Sequence, residues 1–535
     1  MSTYPSTALL LVLSAAVVTA ATAPTRTTAP TTAAAATAVS ASASATAPMS
    51  RVGDVVTAAA AVPAATAVPA LTWRPCDEPK GPAGRECAEL PAPVDYRDPG
   101  GPQLTLAVYR LRSERPAARR GALLLIPGGP GGSGARQLAQ KGDALRKEMA
   151  GAYDIVALDP RGLGGSTKAS CELAPDDRYL VSLRSWPGPD GEITENVARS
   201  RRIADACGRR GGAVLRGFST ANEVRDIDRF RQALGERKLS AWGVSYGTYV
   251  AAVYAQRYPQ HTDRWVMDSN GDPDPARVAQ GWLANMAVGV DDRFPDFAAW
   301  AADPARQDEG LRLAQRPEDV RPLFLALATK LDRNPKDSTT VGVPLTGNLL
   351  RQALQNALAG NGSFPQLARL VQAAQDPAAE PVLPAELAEP LPDQDAAVMI
   401  ATICNDVRWR GTVPSYARAV AADRVRHPLT AGMPVNVSAC AFWKDAPAEE
   451  PTRITAEGPS DILMIQNRRD PATPYSGALK MRSALGDRAR LVTVDHGGQG
   501  GHGAYLANGN ACGDRAVTTF LTTGRRPAGD VLCAD

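Results

Sequence analysis

Histidine is scarce in this chain, with only four copies in 535 residues. Aromatic residues are also few, at 5% of the total, and no C-x-x-C pair occurs among the eight cysteines, which argues against a zinc site. No basic block is present and the formal charge is only +3, so the composition gives no indication of nucleic-acid binding. A reaction that depends on histidine therefore has few candidate residues, and the sequence implies neither a metal nor an organic cofactor.

One stretch of the sequence has the character of an export signal. Residues 8–20 form a short apolar core, and the small residues after it suit signal peptidase. No Lys or Arg precedes this core, which is atypical, and a disordered Ala-rich tail is the alternative. We expect a signal peptide over residues 1–23, an Ala/Thr/Pro-rich linker or pro-segment over 24–70, and a secreted mature protein. No later segment is apolar enough to cross a bilayer, so we expect no membrane association after signal removal.

The eight cysteines are consistent with an oxidising compartment, because an even number can pair completely. Short loop closure favours disulfides between sequential neighbours, although many other connectivities are possible. The predicted pairs are Cys76 with Cys87, Cys171 with Cys207, Cys404 with Cys440, and Cys512 with Cys533.

Apolar runs of the buried-strand type alternate with helical patterns over much of the chain, which predicts a mostly parallel sheet covered by helices on both faces. The runs lie at residues 121–126, 153–158, 264–267, 461–466 and 490–495, with a shorter one before Ser245. Residues 272–450 interrupt this alternation with mainly helical patterns and are predicted to form an inserted cap. The core would then consist of residues 71–271 and 451–535.

A Gly-x-Ser-x-Gly pattern centred on Ser245 follows the strand in the middle of the chain. Such a pattern suits a nucleophilic serine on a sharp turn between a strand and a helix, where small neighbours relieve crowding. A serine hydroxyl becomes a good nucleophile only when a base takes its proton and a carboxylate orients that base.

The base can be sought among the four histidines. His261 and His427 are interpreted as surface or structural residues, whereas His496 and His502 lie in the glycine-rich loop after the last core strand. We prefer His502, because flanking glycines let the loop approach Ser245, while His496 abuts the strand directly.

Two aspartates are candidates for the carboxylate that orients the base. Asp470 follows a strong strand and precedes the histidine loop by about one helix, and Asp495 is the weaker alternative. For Asp470 the other interpretation is an ordinary turn residue before a proline. The order Ser245, Asp470, His502 along the chain, with the cap between Ser and Asp, matches the α/β-hydrolase arrangement.

The glycine run at residues 128–132 follows an early strand and could supply an oxyanion hole. The backbone N–H groups of Gly129 and of Tyr246, just after the nucleophile, are the predicted donors. A flexible turn is the alternative; a phosphate loop is disfavoured because the Lys-Ser/Thr ending is absent.

The motifs together make the chain resemble the secreted actinomycete tripeptidyl aminopeptidases, which are α/β-hydrolases related to proline iminopeptidase. The resemblance covers about residues 70–535 and is carried by six motifs in order, at residues 94–96, 127–134, 159–162, 243–248, 469–474 and 501–503. The paired arginines before Asp470, the glycine run before His502 and the sequence Asp268-Ser269-Asn270-Gly271 depart from the family pattern.

The resemblance implies an exopeptidase that releases short peptides, usually tripeptides, from the free N-termini of peptides or proteins. Such an enzyme must bind an α-ammonium group, for which Asp406 is our first candidate and Asp291 and Asp292 are weaker ones. A secreted esterase or a proline iminopeptidase-like hydrolase on the same fold is the main alternative, and a catalytically inactive binding protein is a further one.

Overall fold

A ten-stranded sheet runs through the part of the chain that the computed structural model describes, which is residues 68–77, 81–178, 183–507 and 509–534. The predicted signal peptide and nearly all of the predicted linker lie outside those residues. In chain order the strands are β1 (Arg74–Pro75), β2 (Arg85–Pro93), β3 (Gln103–Leu111), β4 (Gly121–Ile126), β5 (Tyr153–Leu158), β6 (Leu239–Val244), β7 (Thr262–Asp268), β8 (Ile462–Asn467), β9 (Ala489–Val494) and β10 (Val531–Cys533).

The strand order is β1-β2-β3-β5-β4-β6-β7-β8-β9-β10. Strands β1 to β3 pair in antiparallel fashion and β3 is antiparallel to β5, whereas every pair from β5 across to β10 is parallel. The parallel strands are nearly continuous apolar runs because helices cover both of their faces. The mostly parallel α/β sheet predicted from the sequence is therefore present.

Helices cover the sheet and form most of the insertion. In chain order they are α1 (Gly134–Met149), α2 (Thr194–Arg210), α3 (Gly212–Arg216), α4 (Thr220–Ala233), α5 (Tyr246–Arg257), α6 (Val278–Ala302), α7 (Ala305–Asp308), α8 (Pro317–Arg333), α9 (Gly347–Ala357), α10 (Phe364–Gln375), α11 (Ala385–Ala388), α12 (Asp393–Asp406), α13 (Val413–Arg426), α14 (Tyr475–Leu485) and α15 (Ala511–Thr523). Helices α6 to α13 all lie between β7 and β8, within the predicted cap.

Two hydrophobic layers sandwich the sheet because successive strand residues point to opposite faces. Leu123 and Leu125 of β4 pack on the side of α1 and α15, whereas Leu124 and Ile126 pack on the side of α4 and α5. The two layers hold the sheet between the helices, and the loops that follow the strand ends carry the candidate site.

The insertion has a hydrophobic cluster of its own, built from α6, α8, α9 and α10 around fully buried Phe297 and Phe364. The two ends of the insertion do not belong to this cluster. Trp282 near the start of α6 and most of the buried residues of α12 pack in the main cluster beside the sheet. The bounds 272–450 remain a prediction, and both ends of the insertion are packed into the core.

Four disulfides join sequential cysteines, in the same pairs that short loop closure favours. They close loops of 11, 36, 36 and 21 residues. Within the described ranges no cysteine is left unpaired, and no helix there combines the length and apolar character needed to span a membrane.

Candidate active site

The register of the parallel strands brings several loops to one edge of the sheet. Ile126 pairs with Gly243, Val244 with Asp268, and Asp268 with Ile465, so β4, β6, β7 and β8 end side by side. Ligand sites of open α/β sheets form at the carboxyl ends of such strands. The glycine run, Ser245, Asp470 and the histidine loop all follow strands at this edge.

Ser245 occupies a turn between β6 and α5 with φ 59° and ψ −124°, a strained conformation for a residue with a side chain. Its backbone N–H donates to the Asp268 carbonyl at 2.9 Å. A Cβ on Gly243 would lie 2.5 Å from the Gly247 carbonyl oxygen, and one on Gly247 would lie 2.3 Å from that of Ile126. The glycines of the motif are therefore required by the close approach of neighbouring backbone.

His502 and Asp470 are in direct contact. The Nδ1 atom of His502 lies 3.0 Å from both carboxylate oxygens of Asp470. Asp470 is 1% exposed and also accepts hydrogen bonds from the backbone N–H groups of Ala472 and Thr473 and from the Thr473 hydroxyl. These bonds fix the carboxylate so that it can orient the imidazole.

His502 and Asp470 each shift the pKa of the other. Burial alone would lower the pKa of His502, but the Asp470 carboxylate outweighs it and raises the pKa above 6.5. Burial would raise the pKa of Asp470, yet the charge of His502 and the backbone donors hold it below its usual range. The carboxylate thus stays ionised beside an imidazole that can gain and lose a proton.

Residues at and just after the end of β7 form hydrogen bonds with the loop that carries His502. Both oxygens of Asp268 accept backbone hydrogen bonds, from Ala504 at 2.8 Å and from Tyr505 at 3.0 Å. The Ser269 hydroxyl accepts from the N–H of Gly503, and the Asn467 amide donates to two carbonyls of the same loop. The unusual Asp268-Ser269 sequence is thereby explained as a clamp on the histidine loop.

The glycine run lies against the serine. A Cβ on Gly128 would come within 2.9 Å of the Ser245 Cβ, so only glycine allows this approach. The end of the run is anchored by fully buried Asp159, which accepts hydrogen bonds from the Ser133 hydroxyl at 2.6 Å and from Tyr109 at 2.7 Å. Gly129 lines the same cavity as Ser245, and Tyr246 is the first residue of α5, so its N–H has no partner within the helix.

The expectation for Asp406 is not met by its position. Its carboxylate accepts from the backbone N–H of Thr220 at 2.8 Å and faces a separate cavity of about 450 Å³ that contains Arg257 and Glu449. The Thr220 hydroxyl in turn contacts the Tyr246 hydroxyl at 2.7 Å, which places Asp406 behind Tyr246 rather than beside Ser245. Burial raises the pKa of Asp406 to about 7, so part of this carboxyl is protonated at neutral pH.

A cavity of about 720 Å³ opens between the serine turn and the insertion, and Ser245 and His502 both line it. Its walls are largely apolar, with Trp282, Met286 and Met399 contributed by the insertion. The carboxylates that line it are Glu386 and Glu389, at and just after α11. A cavity of this size and character suits a short peptide.

The weaker ammonium candidates lie elsewhere. Asp291 is 2.5 Å from Nδ1 of His427 and 2.6 Å from Arg321, in an ion cluster of the insertion. Asp292, the next residue of α6, is exposed and does not line the Ser245 cavity.

The alternative acid, Asp495, and the other histidines do not line the Ser245 cavity. Asp495 pairs with Arg468 at 2.8 Å, and Nδ1 of His261 contacts the Arg237 carbonyl at 3.1 Å. His496 does not line the cavity that contains Ser245. Of the four histidines, His502 lines this cavity, and within the described ranges no cluster of three or more ligating side chains could hold a metal ion.

An arginine in the insertion connects it to both loops of the His–Asp pair. Arg293 of α6 is fully buried and donates to the carbonyls of Gly498 at 3.0 Å and Gly500 at 2.8 Å. It also binds Asp296, whose other oxygen pairs with Arg469 at 2.8 Å. The second arginine before Asp470 and the glycine run before His502 are thus the contact surfaces for this helix.

Sequence reasoning missed Asp159, Asp268 and Arg293 as residues that shape the site. Each is a charged residue at the end of an apolar strand or inside an apolar helical stretch, and that pattern could have drawn attention to them. The Arg161 of the Asp-Pro-Arg-Gly motif has a structural role: it forms a buried ion pair with Asp226 at 2.7 Å.

Sequence comparisons relate this chain to known peptidases. Residues 428–533 match the family described as TAP-like protein. The tripeptidyl aminopeptidase of Streptomyces lividans is 32% identical over 471 residues, which cover 84% of this chain and 83% of that protein. Serine protease Hip1 of Mycobacterium tuberculosis is 28% identical over 494 residues, or 86% of this chain and 90% of that one.

Among solved structures, an epoxide hydrolase from an endophytic Streptomyces is similar at 15% identity and a TM-score of 0.35, covering 85% of this chain and 99% of that one. The identity and coverage of the Streptomyces lividans relative are sufficient to assign the family. The chain belongs to the tripeptidyl aminopeptidase family and is a serine hydrolase of the peptidase type with the α/β-hydrolase fold.

Proposed function

We propose that this protein is an exported serine aminopeptidase that releases tripeptides from the free N-termini of peptides and proteins. The observation that carries the proposal is a single cavity that contains Ser245, His502 and two carboxylates, with Asp470 bonded to His502 from behind. Four disulfides support export, because such bonds persist in oxidising compartments.

Ser245 would attack the scissile carbonyl and form an acyl-enzyme, while His502 takes the hydroxyl proton and passes it to the leaving amine. Asp470 would hold the tautomer of His502 and stabilise the imidazolium. The N–H groups of Gly129 and Tyr246 would bind the oxyanion. Water would then attack the acyl-enzyme with His502 again acting as base.

The free N-terminus of the substrate would be held by Glu386 and Glu389. These side chains line the cavity at its exposed rim, whereas Asp406 faces another cavity. A charge-assisted hydrogen bond to an ammonium group contributes enough to set a strong preference for unblocked peptides.

A tripeptide p-nitroanilide and its N-acetylated twin test the substrate class. We expect acetylation to lower kcat/KM at least tenfold, and Ser245→Ala to abolish turnover of both compounds. Equal cleavage of the blocked compound would contradict an aminopeptidase and favour the esterase or general hydrolase alternative. Mass analysis of the first products from one long unblocked peptide would show whether three residues leave at a time.

The acidic rim has its own test. Glu386→Gln and Glu389→Gln are expected to raise KM for the free-amine substrate by about 10-fold, because each removes a partner of the ammonium group. Glu380→Gln changes an exposed glutamate outside the cavity and is the matched control. An unchanged KM in a variant that carries both substitutions would exclude this pair as the ammonium site.

A further inference from the structure

The Ser245 cavity contains a cation that the proposed reaction does not use. Arg184 lines the cavity together with Ser245 and His502, and its charge is near enough to oppose the rise in the pKa of His502. Glu386 and Glu389 line the same cavity, so groups of both signs face the space in which a substrate would lie.

The guanidinium of Arg184 is held by neutral groups. Its Nη1 donates to the Gln355 amide oxygen at 2.9 Å and is 3.4 Å from that of Asn356. Within the described residues it forms no ion pair, and burial lowers its pKa to about 10, which still leaves it charged at neutral pH. A partly buried cation without a counter-ion is costly, and a bound anion would offset that cost.

The segment that carries Arg184 is fastened to the insertion. The Trp186 indole donates to Gln352 at 3.1 Å, and the Asn348 amide donates to the Pro187 carbonyl at 2.8 Å. The Ser185 carbonyl accepts from Asn436 at 2.8 Å. Arg184 is thus presented from a fixed support, which lowers the entropic cost of binding a ligand.

The Asn356 side chain lies between Arg184 and Glu386. The Asn356 side chain directs its oxygen toward Arg184 at 3.4 Å and its nitrogen toward Glu386 at 3.5 Å. The Asn356 amide, whose oxygen also accepts from Gln352 at 2.9 Å, therefore lies between the two charged side chains. The cavity therefore has separate positions for a positive and a negative group of one ligand.

We propose that Arg184 binds a carboxylate of the peptide substrate while Ser245 attacks the scissile bond, and that it makes the enzyme selective for substrates with an anionic group near that bond. A guanidinium can bind a carboxylate through two parallel hydrogen bonds, which gives orientation as well as affinity. The inference deepens the proposed function, since it concerns the same cavity and the same reaction.

The carboxylate could be the C-terminus of a short leaving group or an acidic side chain, and two pairs of substrates separate these sources. The first pair is tetra-alanine as free acid and as C-terminal amide. The second pair is Ala-Ala-Glu and Ala-Ala-Gln p-nitroanilide. For the pair that supplies the carboxylate, kcat/KM of the anionic member is expected to exceed that of the neutral one by about 10-fold to 100-fold.

Arg184→Gln should bring that ratio close to one, and Arg410→Gln, at an exposed arginine outside the cavity, should leave it unchanged. Gln355→Glu is the second variant: it retains Arg184 but supplies an internal carboxylate, and it should reduce the same ratio. A fall in either substrate pair supports the proposal and identifies the source of the carboxylate. Ratios that are unchanged in both variants would overturn it.

The proposed function can fail separately from this inference. If the N-acetylated tetra-alanine is cleaved as well as the free-amine form, the aminopeptidase assignment is wrong whatever Arg184 does. If acetylation blocks cleavage but neither carboxylate ratio depends on Arg184, the aminopeptidase stands and the anion site is wrong.

Discussion

At the scale of single residues, the proposed mechanism makes the contact between His502 and Asp470 the main determinant of how activity depends on pH. His502 must be neutral to accept the Ser245 proton, and the Asp470 carboxylate at 3.0 Å raises its pKa above 6.5. We therefore expect the acidic limb of the kcat/KM profile to have its midpoint above pH 6.5. Asp470→Asn should move this midpoint to lower pH and reduce kcat by about 10³-fold to 10⁴-fold.

Asp495→Asn is the matched comparison, because Asp495 follows a neighbouring strand but pairs with Arg468. Steady-state kinetics from pH 5 to 9 on both variants would distinguish the two acids. Near-normal activity in Asp470→Asn together with a large loss in Asp495→Asn would reverse the assignment.

Residues that follow core strands were the most predictable from the sequence. Parallel strands end at one edge of the sheet, so the order of Ser245, Asp470 and His502 along the chain already restricts their positions. Asp406 was less predictable because it belongs to a helix of the insertion. It shares a helical face with Met399 but lies about 10 Å further along α12. Met399 therefore lines the Ser245 cavity, whereas Asp406 lies beyond it.

At the scale of secondary-structure elements, helix α6 connects the insertion to the loops of the His–Asp pair. Arg293 binds two carbonyls of the histidine loop, and Asp296 binds Arg469 beside Asp470. We expect Arg293→Gln to lower kcat by about 10-fold to 100-fold, because small displacements of reacting groups are costly. Loss of the buried charge partner should also lower the free energy of unfolding by about 3 kcal/mol.

Kinetics and urea unfolding of the same variant measure both effects. Arg306→Gln provides the control, since Arg306 pairs with Glu309 near the surface of the same insertion and should change the stability by less than about 1 kcal/mol. Full activity in a destabilised Arg293→Gln would show that α6 stabilises the fold without positioning the loops.

No periodicity argument could have supplied the role of α6. A charged residue inside an apolar helix predicts a buried partner, but it does not predict which loop provides that partner. The two glycines whose carbonyls Arg293 binds lie far along the chain, and their proximity depends on the packing of the whole insertion.

At the scale of the whole molecule, several buried or half-buried carboxyls are expected to make stability depend on pH. Burial is the main cause that raises the pKa values of Asp268 and Asp461 to about 6, Asp406 to about 7 and Glu223 to about 8. Stability from such groups is complete below their unfolded pKa values, near about 4, and is lost as the pH rises through the folded values. We expect Tm to fall by a few degrees, about 2–5 °C, between pH 5 and pH 8.

Thermal unfolding at constant ionic strength would measure this slope. Glu223→Gln should flatten it above pH 7, because Glu223 has the highest of these raised pKa values, whereas Glu380→Gln at an exposed position should not. The carboxyls whose pKa values are lowered, such as Asp470 and Asp228, act in the opposite sense only below about pH 4. A Tm that rises steadily up to pH 8 would contradict the prediction.

The insertion also lengthens the interval during synthesis between two strands that are neighbours in the sheet. Strand β7 ends at Asp268 and its neighbour β8 begins at Ile462, so the entire insertion is made between two strands that lie side by side. With the proposed roles, a growing chain contains its nucleophile long before its acid and base exist. In the proposed mechanism the nascent protein is expected to be inactive toward peptides, including its own, until the segments that carry Asp470 and His502 have been added.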